Sequence, residues 1–158
     1  MTLDETLLRK LADWRPDTTR QTLTVSAADS GWAIELTADR VETLGTRLWE
    51  VGLRRTAPAA TPVPLAEQAA RIAARVTGLL EPLRLVEVDA TRDVAQLRST
   101  SPAARGEELA YYEVVRHGDG TTQLRRYQHG QATGKRQQVP FTLTNEALAK
   151  LVADLASV

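Results

Sequence analysis

Residues 22–37 read TLTVSAADSGWAIELT, and this stretch predicts a β-hairpin. Apolar and polar residues alternate along both of its arms, as they do in strands that bury one face. Turn-forming residues lie between the arms and end at Gly31, which adopts a positive φ at no steric cost. Alternation resumes at residues 49–54. The simplest prediction is therefore a meander of three strands.

Amphipathic helices are predicted on both sides of this meander. Before it, leucines at helical spacing follow Thr2 and Glu5, whose separation is that of a capping box, and Pro16 ends the pattern. After it, residues 57–64 form a proline-rich connection that favours extended backbone. A second apolar stripe with helical spacing then runs over residues 65–79.

The second half of the chain is predicted to be mostly strand. A stretch at 137–143 contains Pro140, and because proline has no N–H to donate, this strand is predicted at the edge of a sheet. Thr144 is the predicted N-cap of a third helix, which buries leucines on one face. The four other predicted strands lie at residues 83–88, 94–98, 109–116 and 121–128.

Together these elements predict an α+β fold in the order α-βββ-α-βββββ-α, with antiparallel sheet and three amphipathic helices. Residues 1–158 are expected to form a single domain, because each half alone is small for an independent core. Residues 22–76 and 94–155 both resemble strands closed by a helix, so a duplicated β-β-β-α unit is an alternative. The sequence leaves open one sheet or two. The residues predicted to anchor the core include the three tryptophans, Trp14, Trp32 and Trp49.

The composition excludes several classes of protein. The chain has 158 residues, no Cys and a formal net charge of zero, which excludes disulfides, thiolate metal sites and thiol nucleophiles. The sequence has neither a phosphate-binding glycine loop nor a serine-nucleophile elbow. It also lacks a signal-peptide pattern near residue 1 and any apolar run of about 18 residues. We therefore expect a cytoplasmic protein with no cofactor, no metal and no membrane contact, and a non-enzymatic role is favoured over catalysis.

A basic segment at residues 116–136 supports nucleic-acid binding as an alternative function. Tyrosines lie nearby, and strands that carry aromatic and Arg side chains stack bases and hold phosphates. Alternation along a strand places Arg125 and Arg126 on opposite faces, however, which favours an ordinary solvated surface. The candidate contact residues are Arg116, Arg125, Arg126, Lys135 and Arg136.

The two histidines, His117 and His129, suggest a second alternative. Both lie beside glycines in predicted turns, with Asp119 close to the first. If the fold brought the three side chains together, they would suit a small ligand or acid–base catalysis. Turns are where short polar residues ordinarily occur, so solvated histidines are the favoured interpretation.

The leading hypothesis is a domain that binds another protein, or a second copy of itself in a homo-oligomer. It is supported by regular core periodicity, neutral charge and the lack of a reactive constellation. The order of elements resembles that of type III secretion chaperone-like domains, which implies a chaperone-like role; the resemblance is one of topology and transfers no residue. The predicted pairing surfaces are the edge strand near Pro140 and the amphipathic helices.

Overall fold

A computed structural model describes residues 1–17, 19–100, 108–130 and 134–158, with only the main chain of residue 108. This part of the chain contains three helices and nine strands, which confirms the predicted α+β class. The helices are α1 (Leu3–Asp13), α2 (Leu65–Arg75) and α3 (Asn145–Ala156). The strands are β1 (Gln21–Ala27), β2 (Trp32–Val41), β3 (Gly45–Arg55), β4 (Leu83–Asp89), β5 (Val94–Ser99), β6 (Glu108–His117), β7 (Thr122–Gly130), β8 (Arg136–Val139) and β9 (Phe141–Thr144).

The described strands form one antiparallel sheet rather than two. Its main path is β1-β2-β3-β7-β6-β5-β4. The first three strands form the predicted meander, and β4 to β7 form a second meander. The two meanders meet where β3 pairs with β7, and this pairing joins only residues 51–53 to residues 122–124.

Residues 136–144 fill the gap that opens where β3 and β7 diverge. β8 pairs with β7, and β9 pairs with β3. The outer sides of β7 and β3 are already occupied by β6 and β2, so β8 and β9 lie on the sides of β7 and β3 that face each other. Among the described strands, β8 and β9 each pair on one side only, which agrees with the predicted edge position. Pro140 lies where the chain switches from one neighbour to the other, so its missing N–H interrupts neither ladder, and the switch adds one strand to the predicted eight.

The helix starts follow the predicted caps. The N–H of Thr2 donates to Glu5 Oε2 at 2.9 Å, and the N–H of Glu5 donates to Thr2 Oγ1 at 3.4 Å, which is a capping box. At α3, the N–H of Ala147 donates to Thr144 Oγ1 at 3.1 Å. Short polar side chains in the sequence thus satisfy backbone donors that a helix start leaves unpaired.

The second helix is shorter than its apolar stripe. It ends at Arg75, and Val76 takes extended backbone as its C-cap. Val76 and Leu79 are nevertheless buried. The spacing therefore identified core residues correctly while placing the end of the helix one turn too late.

The three helices pack on one face of the sheet and leave the other face uncovered by any described helix. Side chains alternate between the two faces along each strand, so the strand register shows which residues lie on the same face. None of the described helices combines the length and the apolarity that a membrane crossing requires. On the helix side an apolar row crosses the main path of the sheet through Leu23, Leu36, Val51, Leu124, Val114, Leu97 and Leu85.

Candidate functional site

The uncovered face carries four neighbouring charges of alternating sign, and a fifth charge, Arg84 of β4, lies opposite the last of them with the same sign. Glu50 of β3 pairs with Arg125 of β7, with Oε1 and Nη2 2.7 Å apart. Arg125 lies opposite Glu113 of β6, and Glu113 lies opposite Arg98 of β5. We call Glu50, Arg125, Glu113 and Arg98 the charge row.

Side chains around the charge row hold it in place. The Glu113 side chain is only 5% exposed, and it accepts hydrogen bonds from Gln96 and from Arg136. Arg98 lies over the ring of Tyr111, 4.9 Å from the ring centre. The hydrogen bond with Tyr111 raises the pKa of Arg136, and the charge of Glu113 acts in the same direction. Glu113 is therefore enclosed by its neighbours, whereas Arg125 and Glu50 are partly exposed.

Aromatic side chains border the charge row. The rings of Tyr111 and Tyr127 lie 6.1 Å apart, and the guanidinium of Arg136 stacks 3.9 Å from the centre of the Tyr127 ring. Such stacks present aromatic and Arg side chains together at a surface.

Trp49 also departs from its predicted place in the core. It lies at a register shift between β2 and β3 and is half-buried. Its Nε1 donates to Asp39 Oδ2 at 3.0 Å, and Arg20 stacks 3.4 Å from its ring centre. A β-bulge changes the direction in which a side chain points, so alternation along the strand does not predict its position. Trp32 and Trp14 keep their predicted roles, the first within the core and the second packed against it.

The five predicted basic residues do not form one patch. Arg116 has no exposed surface and lies on the helix side of the sheet, and Arg126 lies on that side as well. Arg125 and Arg136 lie on the uncovered face, each paired with a carboxylate. Lys135 is exposed just before β8. The predicted separation of Arg125 and Arg126 onto opposite faces agrees with this arrangement.

The two histidines lie at opposite ends of the β6–β7 hairpin. The N–H of His117 donates to the carbonyl oxygen of Thr121 at 2.8 Å beside the turn. His129 pairs with Leu109 near the other end of the hairpin. Within the described ranges, no three His, Cys, Asp or Glu side chains are grouped so that they could hold a metal ion. The structure therefore does not bring His117 and His129 together.

A cavity of about 540 Å³ lies beside the β6–β7 turn. The proline-rich connection forms one wall, where Pro58, Pro62 and Val63 give it an apolar lining. Arg55 and Asp119 are the charged side chains that line it. Asp119 is thus the one member of the predicted histidine site that reaches this cavity.

The buried guanidinium of Arg116 lies beneath the cavity. It donates to Gln68 Oε1 and to Thr122 Oγ1, each at 2.9 Å. It also donates to the main-chain oxygens of Leu155 and Val158, at 3.3 and 3.1 Å. None of these acceptors is a side-chain carboxylate.

Burial lowers the pKa of Arg116 to about 10, the positive charge of Arg55 acts in the same direction, and Asp119 opposes them. Arg116 therefore stays protonated at neutral pH. Trp32 lies between the two guanidinium groups, with ring-centre distances of 4.3 Å to Arg55 and 5.4 Å to Arg116. The sequence held one signal for this burial, because Arg116 shares its strand face with the apolar Val114.

A comparison with protein-family models, curated proteins and solved structures finds no match for this chain. No residue role is therefore carried over from a relative. The charge row with its aromatic border, and the cavity above Arg116, are the two features from which function is argued.

Proposed function

We propose that this chain is a non-enzymatic protein-interaction domain that pairs with a second copy of itself through the uncovered face of the sheet. The observation that carries the proposal is the alternating charge row. When a two-fold axis reverses a row of four alternating charges, each charge comes to face one of opposite sign. The row is therefore complementary to itself.

The required two-fold axis runs between β6 and β7, parallel to the strands. It places Glu50 of one copy opposite Arg98 of the other, and Arg125 opposite Glu113. Complementary charge across an interface fixes its register and disfavours other partners. Because Glu113 and Arg136 are already held by neighbours, little side-chain freedom is lost when the two faces meet.

The size and composition of the face also support a protein partner. Its seven neighbouring strands, spaced by about 4.8 Å and about 25 Å long, present roughly 700 Å². Each partner in a standard protein interface contributes about 800 Å². Tyr, Trp and Arg side chains, which are enriched at the energetic centres of such interfaces, surround the charge row.

Nucleic-acid binding stays the alternative, because the same face carries aromatic rings. Two of its Arg charges are paired with carboxylates, however, as Arg125–Glu50 and Arg136–Glu113. Binding to phosphates gains its affinity from uncompensated cations that release counterions. The cations that are already paired in this way therefore favour a protein partner over a phosphate backbone.

Light scattering on a size-exclusion column, at several protein and salt concentrations, tests the proposal. The wild-type chain is expected to form a dimer at about 0.1 mM. Glu50→Arg and Arg98→Glu each place like charges opposite each other, so each variant alone is expected to be monomeric. An equimolar mixture of the two variants restores opposite charges in both cross-interface pairs and is expected to form a heterodimer.

Arg9→Glu is the matched control, since Arg9 is exposed on α1 in the helix layer. It should leave the dimer intact, and circular dichroism should show that all three variants are folded. A wild-type monomer at about 1 mM contradicts the proposal. So does a dimer that tolerates both charge reversals, or a mixture that stays monomeric. Binding of single-stranded nucleic acid with a steep loss on added salt would favour the alternative.

A further inference from the structure

We infer that the cavity beside the β6–β7 turn binds a small organic carboxylate with an apolar body. This inference is independent of self-association, because no member of the charge row lines the cavity. A volume of about 540 Å³ lies within the range of cavities that hold small ligands. The chemistry of the floor and the walls identifies the class of ligand.

The charge at the floor favours an anion. Arg116 carries a fully buried positive charge, and its hydrogen bonds to Gln68 and Thr122 involve neutral acceptors. Its other acceptors are the main-chain oxygens of Leu155 and Val158, and its charge is weakly screened, because protein replaces the water around it. Arg55 adds a second positive charge at the cavity wall, while Asp119 is exposed and therefore screened by water. An entering anion is therefore attracted by the guanidinium groups of Arg55 and Arg116.

Arg55 provides the contact. Its guanidinium stacks on the ring of Trp32, 4.3 Å from the ring centre. Stacking uses the face of the guanidinium, and the N–H donors point outward in its plane. Two parallel N–H donors match the two oxygens of a carboxylate. Gln68 makes no such contact, because its Nε2 already donates to the carbonyl oxygens of Val63 and Gly118.

The walls define the rest of the ligand. Pro58, Pro62 and Val63 line the side formed by the proline-rich connection, and Ala57 and Ala59 extend the same apolar surface. An apolar body lying along this wall removes water from both surfaces. Such walls suit an organic carboxylate better than an inorganic anion, which would leave them in contact with water.

Nuclear magnetic resonance titration of the labelled wild-type chain tests the inference. The probes are octanoate and N-acetyl-L-leucine, each compared with a neutral counterpart, octan-1-ol and N-acetyl-L-leucinamide. The indole N–H signal of Trp32 is expected to shift and saturate with the carboxylates, with a dissociation constant on the order of 1 mM. Trp32 reports on the cavity because the lining residue Arg55 stacks on its ring, and the signals of Trp14 and Trp49 serve as internal controls.

Three variants separate the role of charge from a general effect on folding. Arg55→Gln removes the carboxylate contact and is expected to weaken binding about tenfold. Asp119→Asn removes the negative charge at the wall and is expected to strengthen binding about twofold. Arg54→Gln is the matched control, because Arg54 is the neighbour of Arg55 in the chain but pairs with Glu35 on the uncovered face. It is expected to bind as the wild type does.

Stronger binding of N-acetyl-L-leucine identifies the carboxyl end of a peptide as the source of the ligand, and stronger binding of octanoate identifies a free acid. Either result supports a carboxylate site. The inference is overturned if Trp32 does not shift at about 20 mM carboxylate, or if the neutral counterparts bind equally well. Equal losses in Arg54→Gln and Arg55→Gln also overturn it.

Discussion

Arg116 connects four elements through one guanidinium group. Its acceptors belong to α2 (Gln68), to β7 (Thr122), to α3 (Leu155) and to the residue Val158 beyond that helix. Each acceptor is buried from water around the cation, so its hydrogen bond has no ready replacement. The residue therefore fixes the end of α3 against the sheet as well as charging the floor of the cavity.

Replacing Arg116 with Met is expected to lower the free energy of unfolding by about 3 kcal/mol, because buried acceptors lose their donor. Urea denaturation measures this loss. Arg71→Met is the matched control, since Arg71 forms an ion pair with Glu67 on the surface of α2 and its side chain is 34% exposed. Surface pairs contribute less than about 1 kcal/mol. Equal losses in the two variants would show that the buried hydrogen bonds contribute no more than a surface pair.

At the scale of elements, the capping box at the start of α1 gives a dependence on pH. The N–H and the hydroxyl of Thr2 lower the pKa of Glu5, and the hydroxyl of Thr2 also lowers the pKa of Asp4. A carboxyl group with a lowered pKa in the folded state stabilises that state above its unfolded pKa. The contribution is lost as the pH falls through the folded pKa, so α1 weakens in acid.

Carbon-detected magnetic resonance titration of the Glu5 carboxyl checks this expectation. The folded chain should show a lower titration midpoint for Glu5 than the same chain unfolded in about 8 M urea, where Thr2 no longer caps the helix. Identical midpoints in the two states would mean that the capping box does not stabilise the charged carboxylate.

Elements were predictable from sequence where the residues that determine them are neighbours in the chain. Alternation located most strands, and Thr2 and Thr144 marked two helix starts, because a cap and its helix are neighbours in the chain. The change of partner strand at Pro140 was not predictable, since it depends on β3 and β7 diverging far away in sequence. The charge row was missed for the same reason: Glu50 and Arg125 are 75 residues apart and meet only through strand order. Arg116 was misplaced because a basic residue is ordinarily exposed.

At the scale of the whole molecule, the two meanders share one sheet, so we expect them to unfold together. The tryptophans all precede the proline-rich connection, and the tyrosines all follow it. Tryptophan fluorescence therefore reports on the first meander and tyrosine signals on the second. Val114→Ala in the second meander is expected to cost about 2 kcal/mol and to shift both signals to the same lower denaturant midpoint. A shift of the tyrosine signal alone would reveal two folding units.

Two strands that pair with β3 come much later in the sequence, and this order affects synthesis of the chain. β3 ends at Arg55, and the strands that pair with it on the side away from β2 begin at Thr122 and Phe141. A ribosome adds about 5–20 residues per second, so roughly 3–14 s pass between translation of Arg55 and of Thr122. During that interval the edge of β3 away from β2 exposes N–H and C=O groups to any neighbouring nascent chain. Misassembly between chains is therefore most favoured before residues 122–144 have been made.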